Sequence, residues 1–134
     1  MIEELSGGRG AAIYRKEDKV LRPAGPWSPA VHTLLNHLER VGFSAAPKSF
    51  GFDDNDNEIL SFVPGETTNF PLDGAIVSSH ALISAAELLR AYHDASSSLI
   101  EAADVTTMRW MLPTVQHRGY LPWRLCAIQR CLEW

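Results

Sequence analysis

Hydrophobic and polar positions change their period along the chain. In the first third, apolar residues come in short runs separated by turn formers, the pattern of strands. A Gly-rich turn at Ser6 to Gly10 precedes an apolar and aromatic run through Tyr14, "KEDK" is a polar turn, and "VLRP" is a short strand. Pro23 ends that strand because proline removes a ladder donor. From Pro29 to Arg40 the period lengthens: Val31, Leu34, Leu35 and Leu38 fall at helical spacing. Ser28 is placed as the N-cap, Pro29 opens the first turn, and Gly42 suits the stop.

The strand pattern then returns. "PKSFGF" and "EILSFV" flank "DDNDN", a polar turn whose residues tolerate left-handed backbone, and the two predict an antiparallel pair. The acidic run lacks the central glycine and closing glutamate of a calcium loop, so a solvated hairpin tip is expected. Beyond "PGETTNFPLDG", Leu82, Ile83, Ala86, Leu89 and Tyr92 share one face of a helix over Ala81 to Ala95. A second helix is expected around Ile100 to Met111. Strands, helix, strands, then helices make an α+β unit.

With 134 residues the chain holds one core, and 46% apolar against 21% charged residues fits a globular protein rather than a disordered one. A formal charge of −4 argues against nucleic acid and anionic membrane as partners. No apolar run reaches the length of a membrane span, and the first residues lack a signal peptide's character, so a cytoplasmic protein is expected. Cys126 and Cys131, with His117 nearby, make too few metal ligands and read as reduced thiols.

The turn "SGGRG" between two strands can bring backbone N–H groups against phosphate oxygens. Arg22 follows on the next strand but one, then the helix from Pro29, and "EILSFVPGE" supplies the strand before a hinge. In that order, "VLRPAGPWSPAVHTLLNHLERVGFSAAPKSFGFD", "EILSFVPGE" and "AAELLRAYHDAS" resemble the aminoglycoside phosphotransferase and choline kinase-like family. The resemblance implies a protein-kinase-like N-terminal lobe over residues 1–66 and the start of a helical substrate lobe over 67–117. It implies ATP and Mg²⁺ as cofactors and a small-molecule acceptor bearing a hydroxyl. Gly7, Gly8 and Arg9 would cover the phosphates, Arg22 would contact them, and Ser61, Phe62 and Val63 would line the adenine pocket.

The chain departs from that family where the chemistry is carried. Arg22 stands in place of a lysine, and the first turns of the helix from Pro29 hold no acid to orient it. His32 reads as a helix-surface residue, and Trp27 and Trp110 as core or lobe-contact aromatics rather than base-stacking platforms. His93 and Asp94, adjacent on a helix, do not face each other. In "HRGYLPWRLC", His117 is a remnant of the family's catalytic loop, with Gly119 where its Asp belongs and Arg124 where its Asn belongs. Shifted by one base, the codons of Arg118 to Tyr120 can read Gly-Asp-Ile, so residues 118–134 are expected to be an out-of-frame tail.

The expectation is therefore a phosphotransferase family member that is catalytically incomplete. A second reading is a non-catalytic nucleotide-binding or protein-interaction module that self-associates through an exposed face of the kinase-like lobe.

Overall fold

Five strands and two helices carry the residues that the computed structural model describes, which are 2–5, 12–65, 71–102 and 104–111. In chain order they are β1 (Ile2–Leu5), β2 (Ile13–Lys16), β3 (Lys19–Pro23), α1 (Ser28–Arg40), β4 (Ser49–Phe52), β5 (Asn57–Ser61) and α2 (Ser79–Ala102). A 3₁₀ turn at Gly74–Val77 leads into α2. The strands form one antiparallel sheet in the order β1-β2-β3-β5-β4. Sheet and helices together make an α+β architecture.

Both tight turns rest on acidic residues in left-handed backbone, Glu17 at φ 59° and Asp56 at φ 57°. At the β4–β5 tip the Asp53 carboxylate accepts the backbone N–H groups of Asn55 and Asn57 at 2.9 and 2.8 Å. A short acidic side chain that satisfies the turn's own amides explains why "DDNDN" forms a hairpin tip.

Helix α1 starts with Pro29 in its first turn. The Ser28 hydroxyl does not cap it. It accepts the Gly25 N–H at 3.0 Å, while Ser28 N–H donates to the Gly25 carbonyl, so the residue closes the preceding turn instead. At the other end Gly42 takes φ 84°, its N–H reaches the Glu39 carbonyl, and the Phe43 N–H reaches the Leu38 carbonyl. That paired bonding terminates the helix and folds Phe43 back onto the core.

The core has two adjoining parts. Leu34 and Leu38 of α1 meet Tyr92 and Leu99 of α2 together with Val105. Val31 and Leu35, one step around α1, meet Leu60 from the sheet, with Trp27 and Trp110 packed against them. Trp110 fixes its indole by donating to the Val105 carbonyl at 2.9 Å. Each fully buried leucine contributes about 2 kcal/mol relative to leaving it in water. Since α1 alone supplies the buried Leu34, Leu35 and Leu38, it is the element on which sheet and α2 converge.

Two helices were expected where one forms. α2 runs unbroken to Ala102, so Ile100 lies within it, and residues 104–111 follow in turns. Asp104 explains the change. Its carboxylate accepts the Thr106 N–H and its carbonyl accepts the Thr107 hydroxyl, a local pattern that competes with helix. No described helix is long and apolar enough to cross a membrane.

Candidate functional site

Arg22 on β3 and Glu58 on β5 are register partners across neighbouring strands. The Arg22 Nε–H donates to Glu58 Oε1 at 2.6 Å. The other carboxylate oxygen, Oε2, faces Nε2 of His32 at 3.0 Å, and His32 reaches it from α1. Because a carboxylate only accepts, Nε2 carries the hydrogen. On the far side of the ring, Nδ1 lies 2.7 Å from the Ser49 hydroxyl of β4. In the neutral tautomer that hydroxyl donates to Nδ1. Phe52 lies flat on the imidazole, with centroids 4.4 Å apart and planes inclined by 11°.

A bulge makes this clustering possible. Ser49 pairs with Leu60 and Phe52 with Glu58, so three steps along β4 match two along β5. In a regular strand, residues three apart point to opposite faces. The extra residue, with Gly51 at φ 84°, returns both Ser49 and Phe52 to the face that α1 covers. Only a residue without a Cβ adopts that backbone readily.

Glu58 is 2% exposed and His32 6%, while the Arg22 side chain keeps 25% of its surface. Burying a carboxylate is costly unless it is paired and hydrogen-bonded, and here two donors on separate elements meet that need. The cluster's effect is to lock α1, β3, β4 and β5 in one arrangement. His37, also buried, does the same between the helices. Arg40 donates to its Nδ1 at 2.8 Å, which leaves the hydrogen on Nε2 to donate to the Ala95 carbonyl at 3.1 Å.

Of the residues singled out from the sequence as a nucleotide site, Arg22, Ser61, Phe62 and Val63 lie among the described ones. Gly7, Gly8, Arg9 and His117 lie outside the described residues, as does the 118–134 tail. Arg22 is engaged by Glu58. Ser61 N–H donates to the Lys48 carbonyl and Phe62 N–H to the Asp18 carbonyl, so two of the three supposed adenine-facing amides are already bonded. The Phe62 ring carries the Arg15 guanidinium 3.7 Å above its centroid, and Val63 is exposed. His32, expected on the helix surface, is buried. Sequence reasoning did not single out Glu58, although its place two residues before Leu60 puts a charge on the inward face of β5.

A shallow groove of about 370 Å³ lies elsewhere, between the end of α1 and the middle of α2, bordered by Val41, Phe43, Ala91 and Asp94. Beyond it the first half of α2 is open to solvent, including Leu82, Ile83, Leu88 and Leu89. Among the described residues no three His, Cys, Asp or Glu side chains are grouped to hold a metal ion.

No protein-family profile matches the chain, and no solved structure matches it significantly. Over 96 residues, 70% of this chain, it is 41% identical to the trifolitoxin immunity protein of Rhizobium leguminosarum bv. trifolii. The matched stretch covers 35% of that protein, so the chain spans about a third of the length of the curated relative it matches.

These findings correct the functional expectation. The resemblance to the aminoglycoside phosphotransferase and choline kinase-like family is not supported by any family profile or solved structure, and the similarity found is to an immunity protein. Phosphotransferase activity, the nucleotide and small-molecule acceptor as partners, and a nucleotide-binding module that self-associates through the lobe face fall with it. So do ATP and Mg²⁺, since no metal-holding cluster is present among the described residues and Arg22 and two hinge amides are committed within the protein.

Proposed function

We propose that this chain acts in immunity to a toxin and does so by binding rather than by chemistry. The observation that carries this reading is the 41% identity over 96 residues to a trifolitoxin immunity protein. The geometry agrees with it. The polar side chains nearest to a reactive constellation, Arg22, Glu58, His32 and Ser49, close on one another beneath α1 and hold the fold together. A rigid scaffold with solvent-facing apolar residues on α2 suits recognition. We place the protein in the cytoplasm, in keeping with its acidic balance and its two cysteines.

Expression in a trifolitoxin-sensitive strain tests the proposal. Cells making the protein in soluble form survive a toxin concentration that kills the parent strain. Equal killing of both, with soluble protein present, would rule the reading out.

A further inference from the structure

Over residues 79–91, its first half, helix α2 carries apolar side chains on more than one side. At about 100° per residue, Leu88, Ala85, Leu89, Leu82, Ala86 and Ile83 follow one another around roughly 220° of the circumference. All six are exposed, Leu82 at 72%. Glu87, His80 and Ser84 fill the remaining arc, and Arg90, beside Ile83, is held by Asp94 at 3.1 Å. A helix lying at a protein's surface needs an apolar stripe of only about 100°. An arc twice as wide belongs to a helix packed from several directions.

Farther along α2 the core takes up the apolar side. Tyr92 and Leu99 meet Leu34 and Leu38 of α1, with Ala95 and Ile100 packed against them. The first half has no such cover among the described residues, and its arc is wider than one helix could close. The groove bordered by Val41, Phe43 and Ala91 carries the open surface on to the end of α1. The complement of this surface is therefore a body with more than one element.

The likeness to the trifolitoxin immunity protein says which body. A match over 96 of 134 residues takes in the middle of this chain wherever it begins, so that protein has a counterpart of the first half of α2. The same match leaves about two thirds of that protein outside it. We infer that the first half of α2 is a docking face for polypeptide corresponding to that unmatched part. The occupant is a single folded body of that origin, and it covers Leu82, Ile83 and Leu89 together. This rests on the same likeness as the proposed function, through a different consequence of it.

Thiol labelling tests the inference. In a Cys126→Ser/Cys131→Ser background, Leu82→Cys in this chain alone reacts with a water-soluble maleimide as fast as Asn55→Cys at the exposed hairpin tip. In the intact trifolitoxin immunity protein, with other cysteines replaced, a cysteine aligned with Leu82 reacts at least ~100-fold more slowly than one aligned with Asn55. Co-expressing this chain with the unmatched part of that protein, carried on a soluble fusion, slows labelling of Leu82→Cys, and adding Leu89→Glu restores the fast rate. Fast labelling in the intact immunity protein, or no slowing in the co-expressed pair, overturns the inference. So does slow labelling in this chain alone, which would mean that a second copy or another segment of this chain covers the face. Toxin survival is scored separately, so a chain that protects cells yet labels fast in every setting keeps the immunity reading and loses this one.

Discussion

Glu58 is shared: Arg22 holds one of its carboxylate oxygens at 2.6 Å across the sheet, and the other is left for a partner on the covering helix. Removing the carboxylate leaves the buried His32 donor and the part-buried Arg22 donor without their partner at once. Glu58→Ala should destabilise the fold by about 3 kcal/mol, at the lower end for a buried pair because Arg22 keeps some contact with water. Urea unfolding measures this. In a double-mutant cycle, Arg22→Ala and His32→Ala are expected to be non-additive, since both act on one carboxylate.

Leu34 and Leu82 are both helical leucines with opposite surroundings, the first fully buried and the second 72% exposed. Leu34→Ala should cost about 3 kcal/mol, combining lost transfer energy with the cavity left between α1 and α2. Leu82→Ala at high dilution should change the unfolding midpoint hardly at all, by less than ~0.5 kcal/mol. Equal costs at both sites would contradict the placement of the core on α1.

A Cβ added at Gly42 would meet nothing within 4 Å, yet the residue sits at φ 84°. Any loss in Gly42→Ala therefore comes from backbone strain and not from a clash. It should amount to about 1 kcal/mol. Gly42→Asn, which tolerates left-handed backbone better, should recover part of it in the same thermal melt.

Asp53 has its carboxyl held below the usual aspartate value, chiefly by the Asn57 side chain and then by the Asn57 backbone N–H. For a carboxyl lowered by folding, the stabilising contribution is fully present above the unfolded value of 3.8 and is lost as pH falls through the lower folded value. Amide exchange at Asn55 and Asn57 should therefore lose protection on acidification below about pH 4, beyond the intrinsic pH effect. In Asp53→Asn that extra pH dependence should vanish.

Local signals in the sequence were read well where the structure is local. The period of Val31, Leu34, Leu35 and Leu38 placed α1, Gly42 placed its end, and the acidic turn placed the β4–β5 hairpin. Trp27 and Trp110, expected as core or lobe-contact aromatics, are partly buried and pack against the cluster of Val31, Leu35 and Leu60. His32 was misread because its burial comes from β4, whose approach depends on a one-residue bulge 17 positions away. The sign of that bulge was present as a glycine within the "SFGF" strand. Glu58 carries no local sign of its role, because the acid that partners Arg22 comes from the neighbouring strand and not from α1.

Function was less legible than fold. The blocks that resembled a kinase lobe are a strand, helix and strand order with ordinary apolar spacing, and such an order is compatible with many activities. The identity over 96 residues to an immunity protein carries information that spacing does not.

The bulge that gathers Ser49 and Phe52 around His32 lies on β4, at one rim of the sheet. An unkinked rim strand would present a ladder of unpaired N–H and C=O groups to any passing chain, the first step toward fibrils. At β4 the ladder is broken by Gly51, and at the opposite rim β1 is only four residues long and carries Glu3 and Glu4. Irregularity on one side and negative charge on the other blunt strand-by-strand aggregation. The device that seats a buried histidine thereby also protects the protein from polymerising through its sheet.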